Sequence, residues 1–414
     1  MGVLILHYGA IGATPYPTWL SDYDGDIVLL ASQQHLQRTG EQIPTEGYAY
    51  SEAVAGYETG GQVEQRVLDL VRRFDIDHIV AFQERDLERA AQLRDILGLP
   101  GQRMDSVVPF RNKVVMKDAL RAAGIRVAEY RAVECATDIV AFVEEYGFPV
   151  VVKPRDSSGS MGLETLETRA ELDAYLDGAD DLFAVQSNLM VESFVPGSMC
   201  HVDGLVIDGR LVFAWPSHYL FRLAAFRTDR SGRKDVTLDP DDPLAARLLE
   251  FTDQVLDALP SPRTFAFHAE VFLTPDDELV LCEIACRTGG AAIRPIMRTM
   301  FGVDPNEWWL RAELGLPLPL DDSALPLVPR TMAGQLVLVK RPGEVLEVPG
   351  EPPFPWVERA SVFVKRGQVM KEPTYSADFL AAFVVSAPHR AETERRMNAL
   401  SAWFLENLKL GDAA

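Results

Sequence analysis

Two apolar runs in the second half of the chain, AFHAEVFLT and ELVLCEIAC, are each interrupted by one glutamate, Glu270 and Glu283, and are joined by the turn Pro275-Asp276-Asp277. A carboxylate set into an apolar strand is costly to bury without a partner. Two of them on consecutive strands imply a cation between them. The fold must therefore hold these strands as neighbours with positive charge over both. Hard oxygen ligands of this kind suit Mg2+ whose octahedron is completed by the phosphates of a nucleotide.

The stretch VVKPRDSSGSMG, residues 151–162, supplies the complement. A strand ends in Lys153 and runs directly into serines and glycines. Small residues let backbone N–H groups approach an anion closely, and the lysine adds a fixed charge. The same composition also suits an ordinary surface turn, with Lys153 a strand-end lysine in water. A second lysine, Lys113, opens the helix NKVVMKDALRAAG, with Asn112 as N-cap and Gly124 as the stop. Glu192 lies in the apolar strand-to-turn segment LMVESFVPG.

At 414 residues the chain is too long for one small core, and two to four units are expected. Residues 1–105 alternate strands (GVLILHYG, DIVLLAS, HIVAFQE) with helices (VEQRVLDLVRRFD, LERAAQLRDILGLPG), the pattern of a small parallel α/β domain. Gly9 and Gly12 begin a dinucleotide fingerprint, but the third glycine is missing and Pro15 stands where a helix should open. Residues 106–188 hold the Lys113 helix, the helix TDIVAFVEEYG with Thr137 at its cap, and the Ser/Gly loop. Residues 189–330 hold a strand pair turning at Asp208-Gly209, the two glutamate strands and RTGGAAIRPIM, read as a turn. The arginine-rich stretch from Pro216 to Asp242 reads as one long loop. Residues 331–414 are strand-rich and close with a helix.

A net charge of −21 argues against a nucleic-acid partner, so an anionic substrate needs a local cluster of Lys, Arg and metal. No run approaches the roughly 18 uncharged apolar residues of a membrane span. MGVLILHYGAIG reads as a first strand and not a signal peptide, and Leu6 breaks the myristoylation pattern. The four cysteines are too few for a disulfide framework, and Cys282 with Cys286 has no second pair to make a zinc site. Reduced thiols and a cytoplasmic protein are expected.

The order of these elements resembles the ATP-grasp superfamily of carboxylate–amine ligases over nearly the whole chain, and is most similar to amino-acid and dipeptide ligases. FRNKVVMKDALRAAGI resembles the helix whose lysine reaches ATP phosphate. FPVVVKPRDSSGSMG resembles the second lysine and the flexible phosphate loop, LMVESFVPG the adenine hinge, and HAEVF with CEIACRTGG the two metal-binding strands. The resemblance implies α/β and α+β architecture: an ATP-grasp fold behind a pre-ATP-grasp α/β domain. By the same resemblance Lys113 and Lys153 would neutralise phosphates, and Ser157, Ser158, Gly159, Ser160 and Gly162 would cover them. Glu192, Ser193, Phe194 and Val195 would read the adenine. Glu270 and Glu283 would hold one or two Mg2+ ions, with Mn2+ as an alternative, and Arg287 would stabilise the charged transition state.

Three departures bear on these roles. The usual Glu-x-Asn of the second metal strand has Ala285 at its third position. The acidic residue expected on the ribose is absent at Met199 and Cys200, leaving His201 or Asp203 as substitutes. His268 stands where some members carry a catalytic arginine, to contact phosphate or acyl group, against the plainer reading of a hydrogen-bonded structural histidine. Arg294 is expected on a substrate carboxylate, and Arg222 and Arg227 are favoured to close over substrate, the other loop arginines being a solvated face. Glu192 has the competing reading of a surface hinge residue. The substrates expected are a small carboxylate and an amine. A thiol on a carrier protein, a carboxylase branch with a biotin partner, and a regulator that binds ATP without turnover are the alternatives, and a homodimer is left open.

Overall fold

The computed structural model describes residues 1–178, 188–221, 232–319, 322–372 and 378–411. Its first sheet is parallel, in the order β3-β2-β1-β4, from β1 (Gly2–His7), β2 (Asp26–Ser32), β3 (Tyr50–Val54) and β4 (Ile76–Ala81). β1 is buried along its whole length, which its unbroken apolar run requires of a central parallel strand. β3 was not anticipated: YSEAV is a half-buried edge strand without alternation. The Gly9/Gly12 loop is no phosphate site, because Glu41 accepts from the Ile11 and Gly12 amides at 3.2 and 2.9 Å. A helix at Met104–Arg111, also unanticipated because Pro109 lies inside it, leads to the next unit.

The second sheet is antiparallel, ordered β5-β8-β6-β7, from β5 (Tyr130–Ala132), β6 (Val150–Pro154), β7 (Glu164–Leu166) and β8 (Leu189–Ser193). Val150, Val152, Leu189 and Val191 are wholly buried against the helices Ala136–Tyr146 and Arg169–Asp177. At about 1.5–3 kcal/mol for each such side chain, this packing sets which face of β6 and β8 is turned away from the helices. Strand alternation puts Lys153 and Glu192 on that other face. The Ala136–Tyr146 helix is capped by Cys135, with Asp138 closing the box, and not by Thr137. Asn112 caps the Lys113–Ala122 helix as expected, accepting from Val114 and Val115.

The third sheet has eight antiparallel strands in the order β13-β12-β9-β10-β11-β14-β18-β16. They are β9 (Ser198–Ile207), β10 (Arg210–Tyr219), β11 (Arg233–Thr237), β12 (Phe265–Leu273), β13 (Leu279–Ala285), β14 (Met332–Val339), β16 (Val357–Val362) and β18 (Phe379–Ala387). β15 (Gly343–Glu347), β17 (Val369–Met370) and β19 (Lys409–Leu410) form a separate small sheet. Strands from beyond residue 331 thus continue the sheet that carries the glutamates. Asp208 and Gly209 turn β9 into β10 with φ of 52° and 77°, the left-handed pair a two-residue hairpin needs. The stretch 216–242 is not one loop: β10 runs to Tyr219, and β11 pairs with it from Ser217↔Thr237 to Tyr219↔Asp235. The second half of RTGGAAIRPIM is helix, Ile293–Phe301.

One core joins the first and third sheets, with Phe82 packed edge-on to Trp309 at 5.0 Å. Val127 bridges Leu281 at the outer edge of β13, stitching the small-sheet unit to the large sheet. The cleft between these two sheets is where the predicted site residues gather. Among the described residues no helix is long and apolar enough to cross a membrane.

Candidate active site

Glu270 and Glu283 are direct cross-strand partners on β12 and β13. Like charges so placed repel, so cations must surround them. Lys113 Nζ stands 3.1 Å from Glu283 Oε2 and donates to the Ser157 carbonyl at 2.6 Å, tying the Ser/Gly loop to the second glutamate. Burial pushes the Glu270 carboxyl up, but His268, His201 and Arg287 outweigh it and hold the group below its ordinary range.

On the small-sheet side Lys153 donates to Glu192 Oε1 at 2.6 Å, and Lys117 stands 3.3 Å from Glu192 Oε2. Glu192 is therefore no surface hinge residue, being 5% exposed, and its carboxylate serves two lysines in place of a base edge. Burial would raise this carboxyl; Lys117 and Lys153 prevail and lower it to about 2. The Ser193 amide, expected on adenine, donates to the Glu129 carbonyl, and the Phe194 amide to Pro149. Val195 carries no such bond among the described residues. Lys117 was missed in the sequence, although it lies four residues after Lys113 and so on the same helix face.

The loop after Lys153 has three left-handed residues, Gly159, Ser160 and Gly162, with φ of 63°, 59° and 71°. Such φ values suit a tight turn, in which the Met161 amide donates to the Ser158 carbonyl and the Leu163 amide to the Ser160 carbonyl, each at 3.4 Å. A cavity of about 770 Å3 lies between this loop (Ser157, Ser158, Met161, Gly162) and Glu84, Arg85 and Arg111. Arg287 meets Glu84 through Nε and Arg111 meets it through Nη1. Burial would raise the Glu84 carboxyl, and the two guanidiniums hold it at about 2. Glu84 opens a helix just beyond the carboxyl end of β4, where ligands of open α/β sheets gather. That position was the one available signal for it.

His201 and Asp203 lie beside Glu270 and His268, their cross-strand partners, but are 0% and 2% exposed, which takes both from the ribose role. His201 lies between Asp203 Oδ2 at 2.6 Å and Asp235 Oδ1 at 2.9 Å. His268 Nδ1 meets Asp203 Oδ1 at 2.9 Å, and its Nε2 stands 3.5 Å from Glu270 Oε1. Burial lowers the pKa of both imidazoles, but their carboxylate neighbours prevail and raise them to about 10 for His201 and about 9 for His268. Gln335 donates to Asp235 at 2.9 Å and accepts from the Ala292 amide at 2.9 Å, so the network also braces the loop that follows Arg287. Asp235 was hidden by the loop reading of its segment.

Arg294 is not free for a substrate carboxylate. It forms a fork on Asp304, with contacts of 2.8, 3.1 and 2.8 Å, and donates to the Ala13 carbonyl. Arg222 and Arg227 lie outside the described residues.

The donor set fits a metal–nucleotide ligand. Among the described residues Lys117 Nζ, Glu192 Oε2 and Arg111 Nε are buried without a hydrogen-bond partner. Lys117 Nζ and Arg111 Nε are thus unused donors that suit a phosphate, and Glu270 and Glu283 offer oxygens that suit a hard cation. Glu270 and Glu283 are the residues that could hold a cation there.

Residues 119–299 match the family described as the D-ala D-ala ligase C-terminus. An L-arginine-specific L-amino acid ligase of Bacillus subtilis is 28% identical over 240 residues, 57% of each chain. A D-alanine–D-alanine ligase of Geobacter sulfurreducens is 29% identical over 124 residues, 30% of this chain and 38% of that one. The chain thus spans 57% and 38% of the lengths of these two curated relatives. The structure superimposes on an L-amino acid ligase from Bacillus licheniformis with a TM-score of 0.74 at 17% identity, covering 99% and 98% of the two chains. A biotin carboxylase from Campylobacter jejuni gives 0.70 at 14%, covering 99% and 92%. The ligase domain is thus matched in sequence over residues 119–299, and the fold of the whole is shared with these enzymes.

Proposed function

We propose that the protein is an ATP-dependent carboxylate–amine ligase, which joins a small carboxylate to the amine of an amino acid through an acyl phosphate and releases ADP and phosphate. The observation that carries this is the cross-strand pair Glu270 and Glu283, with the Lys113 ammonium on one of them and Arg287 close enough to lower the Glu270 carboxyl. The amino acid ligases among the similar proteins support amide-bond formation.

Both half-reactions develop negative charge on phosphoryl or tetrahedral oxygens. Lys153 and Lys117 answer it from the small sheet, and Lys113 and Arg287 from the side of the glutamates, by electrostatics and positioning. Mg2+, when bound, supplies further charge to the transferring phosphoryl group. The Ser157–Gly162 loop excludes water, which would hydrolyse an acyl phosphate. Its anchor is Lys113, which grips the Ser157 carbonyl.

ADP release from MgATP with amino acids, singly and in pairs, tests the reading. Turnover that needs two substrates, and falls at least about 100-fold in a folded Glu283→Ala variant, is expected. Tight ATP binding with no turnover for any pair would overturn it, in favour of a carrier-protein thiol acceptor or a regulator.

A further inference from the structure

We propose that His268 is a third protein ligand of the divalent cation held by Glu270 and Glu283, donating through Nε2. This rests on the metal–nucleotide part of the reading above, and is independent of which acid and amine are joined.

The register of β12 on β13 places four side chains in a square: Glu270 opposite Glu283, and His268 opposite Ala285. Alternation puts all four on one face. Ala285 offers neither a donor atom nor bulk, so the imidazole beside it has room over the carboxylates. The register shifts immediately after Glu270, and such bulges commonly re-aim side chains beside active sites.

The orientation of the ring follows from its other nitrogen. Nδ1 is held by Asp203 Oδ1 at 2.9 Å, which leaves Nε2 pointing to Glu270 Oε1 at 3.5 Å. Adjacent ligands of an octahedral ion, with bonds of about 2.1 Å, stand roughly 3 Å apart. The pair therefore needs only a small movement to share an ion. Carboxylate–imidazole–metal chains of this kind orient the ring and raise its basicity.

His201, Asp203 and His268 also lie close enough to hold an ion among themselves. Both nitrogens of His201 are engaged by Asp203 and Asp235, however, so that trio could bind only by breaking its own bonds. The same bonds hold Asp203 still beneath His268. Gly289 closes the remaining side: a Cβ there would lie 2.8 Å from Asp203 Oδ1 and 2.9 Å from His268 Nδ1. A nitrogen donor in the set favours Mn2+ over Mg2+, because imidazole suits transition metals and Mg2+ prefers oxygen.

Pulsed EPR of Mn2+ bound to the full-length protein with a non-hydrolysable ATP analogue tests this without turnover. Histidine nitrogen hyperfine coupling is expected, changing to the 15N pattern in protein labelled only at histidine, which separates it from the adenine nitrogens. His268→Gln should remove the coupling and weaken Mn2+ at least about tenfold. Bound Mn2+ with no histidine coupling in the native protein would overturn the proposal, and so would failure to bind Mn2+ at all. Coupling present without ADP formation from any substrate pair would support the ligand and remove the ligase reading alone.

Discussion

Lys117 and Asp203 belong to opposite sides of the cleft and are almost equally buried, 1% and 2% exposed, yet their bonding differs. Lys117 Nζ has one ionic neighbour and no hydrogen bond among the described residues. Asp203 has an imidazole on each oxygen, and those imidazoles lead on to Asp235, Gln335 and Glu270. An unsatisfied buried donor costs about 1–3 kcal/mol, whereas a satisfied network fixes geometry. On the proposed function, the small-sheet side is prepared for an anion that arrives and leaves. The large-sheet side is built to stay in place while that happens.

The largest expected contrast comes from removing one residue on each side. Asp203→Ala strips two buried imidazoles of a partner and should cost about 3–5 kcal/mol in urea unfolding. Lys117→Met leaves Glu192 with Lys153 and should cost less, about 1–3 kcal/mol, while weakening ATP about tenfold. Equal losses of stability in the two variants would end the distinction. Gly289→Ala, by crowding Asp203 and His268, should cost about 1–3 kcal/mol and lower kcat, with nucleotide affinity unchanged.

Acidity sharpens the contrast further. The Glu192 carboxyl lies at about 2 in the fold against an ordinary 4.5, so its contribution is full above pH 4.5 and is lost as pH falls towards 2. Asp203 is also depressed, so the network shares that acid arm. His201 is raised from 6.5 to about 10, so its contribution is full below pH 6.5 and is lost as pH rises through 10. Lys153 is raised above 10.5 and titrates later. Unfolding measured from about pH 6 to 10 should show a loss in the native protein that His201→Gln flattens. The smallest effect is expected at Arg294→Lys, which loses the fork on Asp304: about 1 kcal/mol of stability, with KM for both substrates unchanged.

The same division explains what could be read from the sequence. Lys153, Glu192, Glu270 and Glu283 interrupt apolar strands, and the strands that carry them were visible for that reason. β11 was not: in RKDVT the polar residues belong to the strand's own pairing and to the network, so no apolar period marks it. Arg294 was placed on substrate because its distance from the glycines says nothing of Asp304, an acid ten residues later that caps another helix. His201 and Asp203 stood near the expected ribose position in the chain, but their partners Asp235 and His268 come from other strands. A sequence reveals that a charge is buried more readily than what it is buried against.

The eight-stranded order sets a timetable for synthesis. β11 lies between β10 and β14, and the chain from Thr237 to Met332 must be made before its second neighbour exists. At ~5–20 residues per second that interval is roughly 5–20 s, during which β11 has an open edge to which another nascent chain can pair. Gln335 arrives at the end of the same interval, so the brace on the Ala292 amide cannot form on the ribosome until the glutamate strands have long been complete.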